Sequence, residues 1–573
     1  MGDYLIESVD ELPFGGPGKA RRYATERYEG AVGLNWYTCD PSLRATLGRW
    51  MSPEHLAWAT PHLERAGAMM GGPIARHAEQ TDRNPPELEK YDRWGHDVSR
   101  VVMPPSFEAA RRELVAGSFT TDAFFAEAGA AGVDPTPMAV AWNYMLDQAD
   151  IGMGCALGTG GDMVVLLAER FAPEDVKRRV RELFSAGMFS GEAAQMLTER
   201  SGGSDLGALE STAVPDGDAW KLNGLKWFAS NANGSAFVVL AKPEGAEDGV
   251  RGVAPFLVLR ERRDGGRNGV RIRRLKDKLG TRSVASAEIE FTDAEAFLLA
   301  PGGGWSGDGK GLGRMMELTN GARLGIALMG LGCARRALVE ALCYARRREA
   351  FGRPLIDQPL MRRKLAELIV EVEAAQAIVF HGHLERMRLT PALVKLRAAR
   401  LGVTAASDAI EVHGGNGYIE QWPVARILRD AQVNPIWEGG DNILCLDVRR
   451  AIGQDAHLPF LDRLRQAVER APGGAPAELV SRRVDDLTET IARWRKLGDA
   501  TAEARLYPLA QFMADVYSAA LLLEIPGERG ELVARLYARA HLAEPGPLRD
   551  IDGPAEELER FAELADGALQ DGR

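Results

Sequence analysis

Glu438 sits between Ile436-Trp437 and Gly439-Gly440, at the end of a stretch where glycines and charges crowd together. The stretch begins at Glu411-Val-His-Gly-Gly-Asn-Gly-Tyr418 and continues through Arg426-Ile-Leu-Arg-Asp430. Glycines let a backbone approach a ligand closely. Apolar neighbours disfavour an ionised carboxylate and raise its pKa, which suits a general base. For Glu438 alone, a buried and paired glutamate beside an ordinary turn is the plainer reading, because structural ion pairs also perturb pKa values.

Three further segments carry polar chemistry. Met196-Leu-Thr-Glu-Arg-Ser-Gly-Gly-Ser-Asp205 joins hydroxyls to consecutive glycines, so its N–H groups and hydroxyls suit a phosphate or a planar polar ligand, or make a plain turn. Lys226-Trp-Phe-Ala-Ser230 puts an aromatic pair on an expected strand, where a core Trp is the simpler account. Tyr344 to Phe351, with Gly352-Arg-Pro-Leu355 and Gln358, sets arginines beside an aromatic at a helix end. That arrangement clamps a pyrophosphate or forms a solvated basic face.

The elements that must position these residues follow from periodicity. Residues 1–45 read as an arm rich in Gly, Pro and aromatics, from Leu12-Pro-Phe-Gly-Gly-Pro-Gly18 to Asn35-Trp-Tyr37. Asp40-Pro41-Ser42 is a helix start, with Pro just inside the N-cap. Residues 46–190 keep a helical pattern, broken at Asn84-Pro-Pro86. Residues 191–303 switch to strands: Ala219–Leu222 and Leu225–Phe228 around an Asn223-Gly224 turn, then Ala236–Leu240, Phe256–Leu259, Val270–Arg273 and Ala287–Phe291. Residues 304–453 are helical again after the loop Pro301-Gly-Gly-Gly304. Leu324, Leu328, Leu331, Ala334, Leu338, Leu342 and Ala345 form one apolar face there. Arg336 and Arg347 fall opposite, with Arg335 near the edge. Residues 454–573 form a last helical section, interrupted at Ala471-Pro-Gly-Gly-Ala-Pro476 and carrying 22 acids against 15 Arg plus Lys.

At 573 residues the chain must divide into several domains. A net charge of −11 argues against a general nucleic-acid binder. The five cysteines (Cys39, Cys155, Cys333, Cys343, Cys445) are scattered, without zinc spacing, and read as thiols of a reducing compartment. With no apolar leader and no run long enough to span a bilayer, a cytoplasmic location is expected.

Taken together and in this order, the motifs resemble the acyl-CoA dehydrogenase superfamily. The matching residues are Thr198-Glu199 with Gly203-Ser204-Asp205, Arg348 with Phe351-Gly352, Gly414-Gly415-Asn416-Gly417-Tyr418, and Ile436-Trp437-Glu438-Gly439-Gly440. Lys276-Asp-Lys-Leu-Gly-Thr-Arg282 also fits. Asn84-Pro-Pro-Glu-Leu88, Pro354-Leu-Ile-Asp-Gln-Pro-Leu-Met361 and Cys445-Leu-Asp-Val448 are similar to the AidB-type branch. The resemblance implies an α+β but mostly α fold: an N-terminal helical domain, a central β-barrel-like domain, a C-terminal four-helix bundle and an extra helical extension.

It also implies FAD, an acyl-CoA substrate, a homotetramer, and an electron-transfer flavoprotein or oxygen as acceptor. Leu197, Thr198 and Ser204 would contact the flavin, with Trp227 against its ring. Arg348, Phe351 and Gln358 would hold the adenosine-diphosphate half across a subunit boundary, where Gly414 and Gly415 let backbone approach. Glu438 would be the base, with Arg323 near it. Three positions depart from the family pattern. Glu411 replaces Gln beside a pyrophosphate, where it is protonated or reaches an Arg. Gly440 replaces Thr near the flavin. Ala229 replaces Thr near N5, with Ser230 as the nearest substitute. Some AidB-type members are linked to alkylation damage and DNA, so a DNA-associated flavoprotein with weak dehydrogenase activity is the alternative. It needs a basic surface, and the acidic final section does not supply one.

Overall fold

The computed structural model describes residues 30–159, 161–185, 193–303, 305, 307, 309–544 and 553–570. Leu12–Gly18 of the expected arm lies outside the described residues. The later part of the arm is packed down: Trp36 and Tyr37 are buried, and Trp36 Nε1 donates to Ala31 O at 3.0 Å. Asp40 caps α1 (Pro41–Trp50), its carboxylate accepting from Leu43 N at 2.9 Å, as the Asp-Pro-Ser signal predicts.

Next come α2 (Pro53–Met69), a π turn at Met70–Ile74, and α3 (Ala75–Arg83). Pro73 lies inside the π turn, whose wider hydrogen bonding accommodates a residue without an N–H. Asn84-Pro-Pro86 ends α3 as expected. The chain then forms, instead of more helix, the hairpin β1 (Glu87–Tyr91) and β2 (Asp97–Val102). Its anchor is distant in sequence: Lys90 Nζ donates to Ile272 O at 2.6 Å, and Ser99 Oγ accepts from Ile272 N at 3.0 Å. Helices α4 (Pro105–Ala116), α5 (Asp122–Ala130), α6 (Thr136–Ala149), α7 (Ile151–Gly154), α8 (Gly161–Phe171) and α9 (Glu174–Leu183) complete the N-terminal domain.

The β domain holds β3 (Ala193–Met196), β4 (Thr212–Asp216), β5 (Ala219–Ala229), β6 (Ala236–Pro243), β7 (Ala254–Leu259), β8 (Val270–Leu275) and β9 (Ala287–Leu298). Pairing runs β6-β4-β5-β9-β7 and returns to β6, so the sheet closes on itself, with β3 added to β6 and β8 to β9. Leu222, Phe237, Val239, Phe256, Ile289 and Phe291 fill one face. Val238, Leu240 and Leu257 of the other face pack with Val164, Leu167 and Val176 from α8 and α9. Asn223-Gly224 is not a turn. β5 runs straight through it, and the pairing to β9 shifts register between Leu222 and Gly224. The bulge, rather than a reversal, absorbs the glycine. The actual reversal is Gly217, at φ +67, between β4 and β5.

The bundle consists of α10 (Gly311–Arg347), α11 (Pro359–Leu384), α12 (Thr390–His413), α13 (Pro423–Ala431) and α14 (Asp441–Gly453). The small hairpin β10 (Glu349–Ala350) and β11 (Arg353–Pro354) comes after α10. A Cβ at Gly330 would meet Ala398 O at 2.5 Å, so glycine is what lets α10 cross α12 so closely. On the side of α10 opposite its leucine face, Arg347 is exposed as expected but Arg336 is not. Arg335 and Arg336 are both buried, because α10 is the central helix and touches α6 as well as α12. Arg336 Nε donates to Glu340 at 2.8 Å, and Arg335 pairs with Asp40 at 3.2 Å.

The final section folds as α15 (His457–Arg470), α16 (Ala475–Trp494), α17 (Asp499–Ala504), α18 (Leu506–Leu522), α19 (Glu528–His541), α20 (Glu556–Glu559) and α21 (Phe561–Ala568). It shares a continuous apolar core with the bundle through Phe460, Val516, Leu521 and Leu536. Its end returns to the start of the N-terminal domain: Gln570 N donates to Cys39 O at 3.2 Å and Arg335 to Ala568 O at 2.7 Å. Among the described residues no helix is long and apolar enough to cross a membrane.

Candidate active site

Glu438 lies between α13 and the N-terminus of α14. Its φ is +54, uncommon for a non-glycine residue, and Gly439 comes next at φ +96. Two cations hold this strained turn. Arg323 Nε lies 3.4 Å from Glu438 O, and Lys395 Nζ donates to Gly439 O. The side chain is half-buried beside Trp437. Burial pushes its carboxyl above the usual range, and the positive charges of Lys395 and then Arg323 oppose that rise. Across the domain seam, Gln195 Nε2 of β3 donates to Glu438 Oε1 at 2.6 Å. This bond joins the barrel to the bundle at the carboxylate itself.

Arg323 is buried, and its NH1 donates to Asp447 of α14 at 2.8 Å. Arg388 grips the same carboxylate with bonds of 3.0 and 2.6 Å. Arg323 therefore steadies the Glu438 backbone and lends charge to its side chain, while its shortest hydrogen bond goes to Asp447 and another to Asn320 at 3.2 Å. Gln195, Lys395 and Asp447 were not found by sequence reasoning. One signal existed for Lys395: it is a lone charge inside the apolar run Ala392-Leu-Val-Lys-Leu396, a pattern that flags a buried, partnered cation.

From Gln195, β3 leads into Leu197 and Thr198. Thr198 O accepts from Trp227 N at 2.9 Å, so this loop and the tryptophan strand are tied together. Glu199 is structural. It is buried and accepts from Lys226 Nζ at 2.5 Å, Ser211 Oγ at 2.6 Å and Glu210 N at 2.6 Å. Burial lowers the Lys226 pKa to about 8, partly offset by Glu199. Ser204 is exposed beyond this anchor. Trp227 is half-buried, with Lys276 Nζ 3.3 Å and Arg200 5.2 Å from its ring centre. Ser230 Oγ is 3.3 Å from Ser286 Oγ, so its hydroxyl is already engaged.

Except for Gly440, which stays beside Glu438, the remaining expected residues sit at the other end of the bundle. Arg348 caps α10, and the β10–β11 turn carries Phe351 at φ +53 and Gly352 at φ +81. Positive φ at both central positions is the primed turn that suits a two-residue hairpin. It presents Phe351 at 96% exposure, held by Gln358 Nε2 donating to Ala350 O at 3.0 Å. A Cβ at Gly414 or Gly415 would meet nothing in this chain within 4 Å, so that backbone is open to approach. Gly440, just before α14, has only Pro435 O near a would-be Cβ, at 3.7 Å, so the absence of a larger residue is not forced by packing. Glu411 reaches no arginine. It accepts from Lys364 Nζ at 2.8 Å, one helix away on α11, and lies largely exposed.

Two buried polar atoms near Glu438 bear on what the seam can hold. Gln195 Oε1 and Trp437 Nε1, on either side of Glu438, are buried with no hydrogen-bond partner in this chain. Native interiors leave few such atoms unsatisfied, so a polar ligand at the seam fits them.

A carboxylate raised by burial at the junction of a barrel and a helical bundle defines an acid–base site placed beside a ligand seam. Three family models match the chain: "Acyl-CoA dehydrogenase, C-terminal domain" over residues 309–453, "Acyl-CoA dehydrogenase, middle domain" over 194–294, and "Adaptive response protein AidB N-terminal domain" over 28–182. The Escherichia coli protein AidB is 31% identical over 464 residues, covering 77% of this chain and 81% of its own length. A Caenorhabditis elegans structure, ACDH-11 in complex with C11-CoA, superposes with a TM-score of 0.81 at 24% identity, covering 90% of this chain and 93% of that one. A Bacillus anthracis acyl-CoA dehydrogenase complexed with FAD gives 0.63 at 18% identity, over 86% and 93%. At these identities the two structures speak for the fold alone.

The chain belongs to the acyl-CoA dehydrogenase family, in its AidB-type branch. It is accordingly an FAD-dependent oxidoreductase of the acyl-CoA dehydrogenase class.

Proposed function

We propose that the protein removes the α- and β-hydrogens of an acyl-CoA thioester, with Glu438 as the base that takes the α-proton. The observation that carries this reading is the Glu438 carboxyl itself. It is raised by burial, set on a strained turn, and bonded across the seam to Gln195. Bound FAD would supply the acceptor for the β-hydrogen and its electron pair. The chain's own residues do the rest.

Leu197, Thr198 and Ser204 with Trp227 and Ser230 hold the flavin end. Arg348, Phe351 and Gln358, with Gly414, Gly415 and the nearby Glu411, hold the adenosine-diphosphate end. The exposed hairpin bearing Phe351 suits reach into a second copy of the chain, in keeping with a tetramer. Gly440 keeps the backbone bare beside the base. The N–H of Glu438 points the thioester carbonyl and stabilises the enolate that forms as the α-proton leaves. Burial of the Glu438 carboxyl strengthens the electrostatic effects of Lys395 and Arg323 there.

The substrate is a long or bulky acyl chain. Support comes from the C. elegans relative, whose structure carries C11-CoA. An electron-transfer flavoprotein or oxygen would serve as the final electron acceptor. A coat on DNA is the weaker reading, because three of the four arginines in this region, Arg426, Arg429 and Arg449, are buried or paired and Arg450 is the exposed one. Arg426 is buried; Arg429 binds Asp82 at 2.6 Å and Glu420 at 2.9 Å; Arg449 binds Asp499 at 2.8 Å.

The test is anaerobic bleaching of the yellow protein by a panel of acyl-CoAs from short to long. Wild type should bleach. Glu438→Gln should stay yellow with FAD bound and fail to bleach. A wild type that no acyl-CoA bleaches, or a Glu438→Gln variant that bleaches normally, overturns the assignment.

A further inference from the structure

The Glu438 carboxyl has a charged neighbour that no family motif in the sequence singles out. Lys395 lies on α12, fully buried, amid Leu393, Val394 and Leu396. Its ammonium donates to Gly439 O, a neutral acceptor one residue past Glu438. Burial pushes its pKa down to about 8, and Glu438 is the largest charge holding it up. In return, Lys395 stands ahead of Arg323 among the charges that oppose the rise at Glu438.

The other charged groups around this pair are already matched. Arg323 from α10 shares Asp447 of α14 with Arg388. Arg400 of α12 and Asp441 of α14 pair with each other at 2.7 Å. Gln195 from β3 is neutral. Lys395 thus gives its ammonium bond to the turn of the base, whereas Arg323 divides its bonds between that turn, Asn320 and Asp447. A lysine suits this place, because a compact ammonium on a flexible stem responds to burial and to a nearby charge more than a guanidinium does.

We propose that Lys395 is the positioning residue of the base: its bond to Gly439 O fixes the positive-φ turn, and its buried charge keeps Glu438 ionised until that carboxylate takes the α-proton. The inference rests on Glu438 being the base. It assigns Lys395 no contact with substrate.

The experiment compares wild type, Lys395→Met and Lys395→Arg by two readouts. One is the pH profile of kcat/KM for acyl-CoA oxidation. The other is carbodiimide labelling of Glu438, which tracks its protonated fraction, mapped by peptide mass without acyl-CoA present. Without the neighbouring charge, Lys395→Met should lose about tenfold in kcat/KM near pH ~6 and less than about twofold near pH ~9. Glu438 labelling at the lower pH should rise several-fold. Lys395→Arg should retain the wild-type acid limb.

If Lys395→Met yields no folded flavoprotein, Lys395→Gln takes its place under the same two readouts. A uniform loss at every pH with unchanged labelling means a merely structural lysine and overturns the proposal. The two readings fail differently. An active Glu438→Gln removes the base assignment and this inference with it. An inactive Glu438→Gln beside unchanged labelling in Lys395→Met removes only the role of Lys395.

Discussion

Lys226→Met isolates the ion pair beneath the loop that leads from Gln195 to Ser204. Lys226 is fully buried, and its ammonium has three acceptors: Glu199 Oε1 at 2.5 Å, Leu240 O at 2.6 Å and Leu197 O at 3.4 Å. Methionine fills similar volume, so packing changes little. What remains is a buried carboxylate without its cation. Breaking a buried pair by removing one partner typically costs about 3–5 kcal/mol. Here Glu199 keeps three donors, the N–H groups of Glu210 and Ser211 and the Ser211 hydroxyl. These place the electrostatic part at the low end, about 3 kcal/mol. The two carbonyls that lose a donor add about 1 kcal/mol each at most. A loss of about 3–5 kcal/mol is therefore expected at neutral pH.

The pH dependence identifies the cause. In wild type Lys226 is the largest of the influences that hold the Glu199 carboxyl below its ordinary value. A carboxyl with a depressed folded pKa contributes stability above its unfolded pKa, and that stability is lost as pH falls through the folded value. Without Lys226, burial is the leading influence and raises the carboxyl. The variant's deficit should then shrink on acidification, as Glu199 takes up a proton in the folded state. The double variant Glu199→Gln, Lys226→Met should recover most of the loss. The assay is urea denaturation monitored by Trp fluorescence at several pH values, with FAD retention measured alongside. A deficit that does not change with pH, together with a double variant no more stable than Lys226→Met, would refute the electrostatic account.

Two further outcomes are expected. Phe351→Ala should change the stability of the isolated chain by no more than about 0.5 kcal/mol, because the ring is almost fully exposed. The same variant should weaken FAD retention and the tetramer, read by gel filtration and absorbance; unchanged retention and assembly would remove Phe351 from the proposed cofactor set. Gly280→Ala would place a Cβ 2.3 Å from Arg429 O and 2.6 Å from Asp430 N, both backbone atoms of α13. Separating the β domain from the bundle in this way should destabilise by about 1–3 kcal/mol, seen as a lower thermal midpoint.

Much of the architecture was legible because its signals are local. Continuous apolar runs marked β6 and β7, alternation marked β8 and β9, and Asp40-Pro41 marked the first helix. The misreadings occurred where distant partners decide. Asn223-Gly224 reads as a turn by itself, yet pairing to β9 pulls it into a bulge. Glu87–Tyr91 has weak strand character, and its hairpin exists because Lys90 and Ser99 find Ile272 in the barrel. The leucine face of α10 was right, but periodicity cannot tell solvent from a neighbouring domain, so of the two arginines read opposite that face Arg347 is exposed while Arg336 is buried. At the site, Glu438 and Arg323 could be read from motifs, and the structure brings them together. Gln195 and Lys395 could not, since each reaches the base from an element remote in sequence, across a distance that only folding closes. Glu411 was expected to find an arginine or a proton and found Lys364, which sits on a helix whose facing residues the motif does not encode.

The bond from Gln570 to Cys39, with Ala568 capping Arg335, sets an order of events in the cell. The first helices leave the ribosome about 530 residues before the segment that clasps them. Until then Arg335 and Asp40 lack part of their enclosure, so the leading domain is completed only when that last segment packs on it. Completion of this flavoprotein is therefore governed from its rear. A fusion placed after residue 570 would be felt first at α1, the far end of the chain.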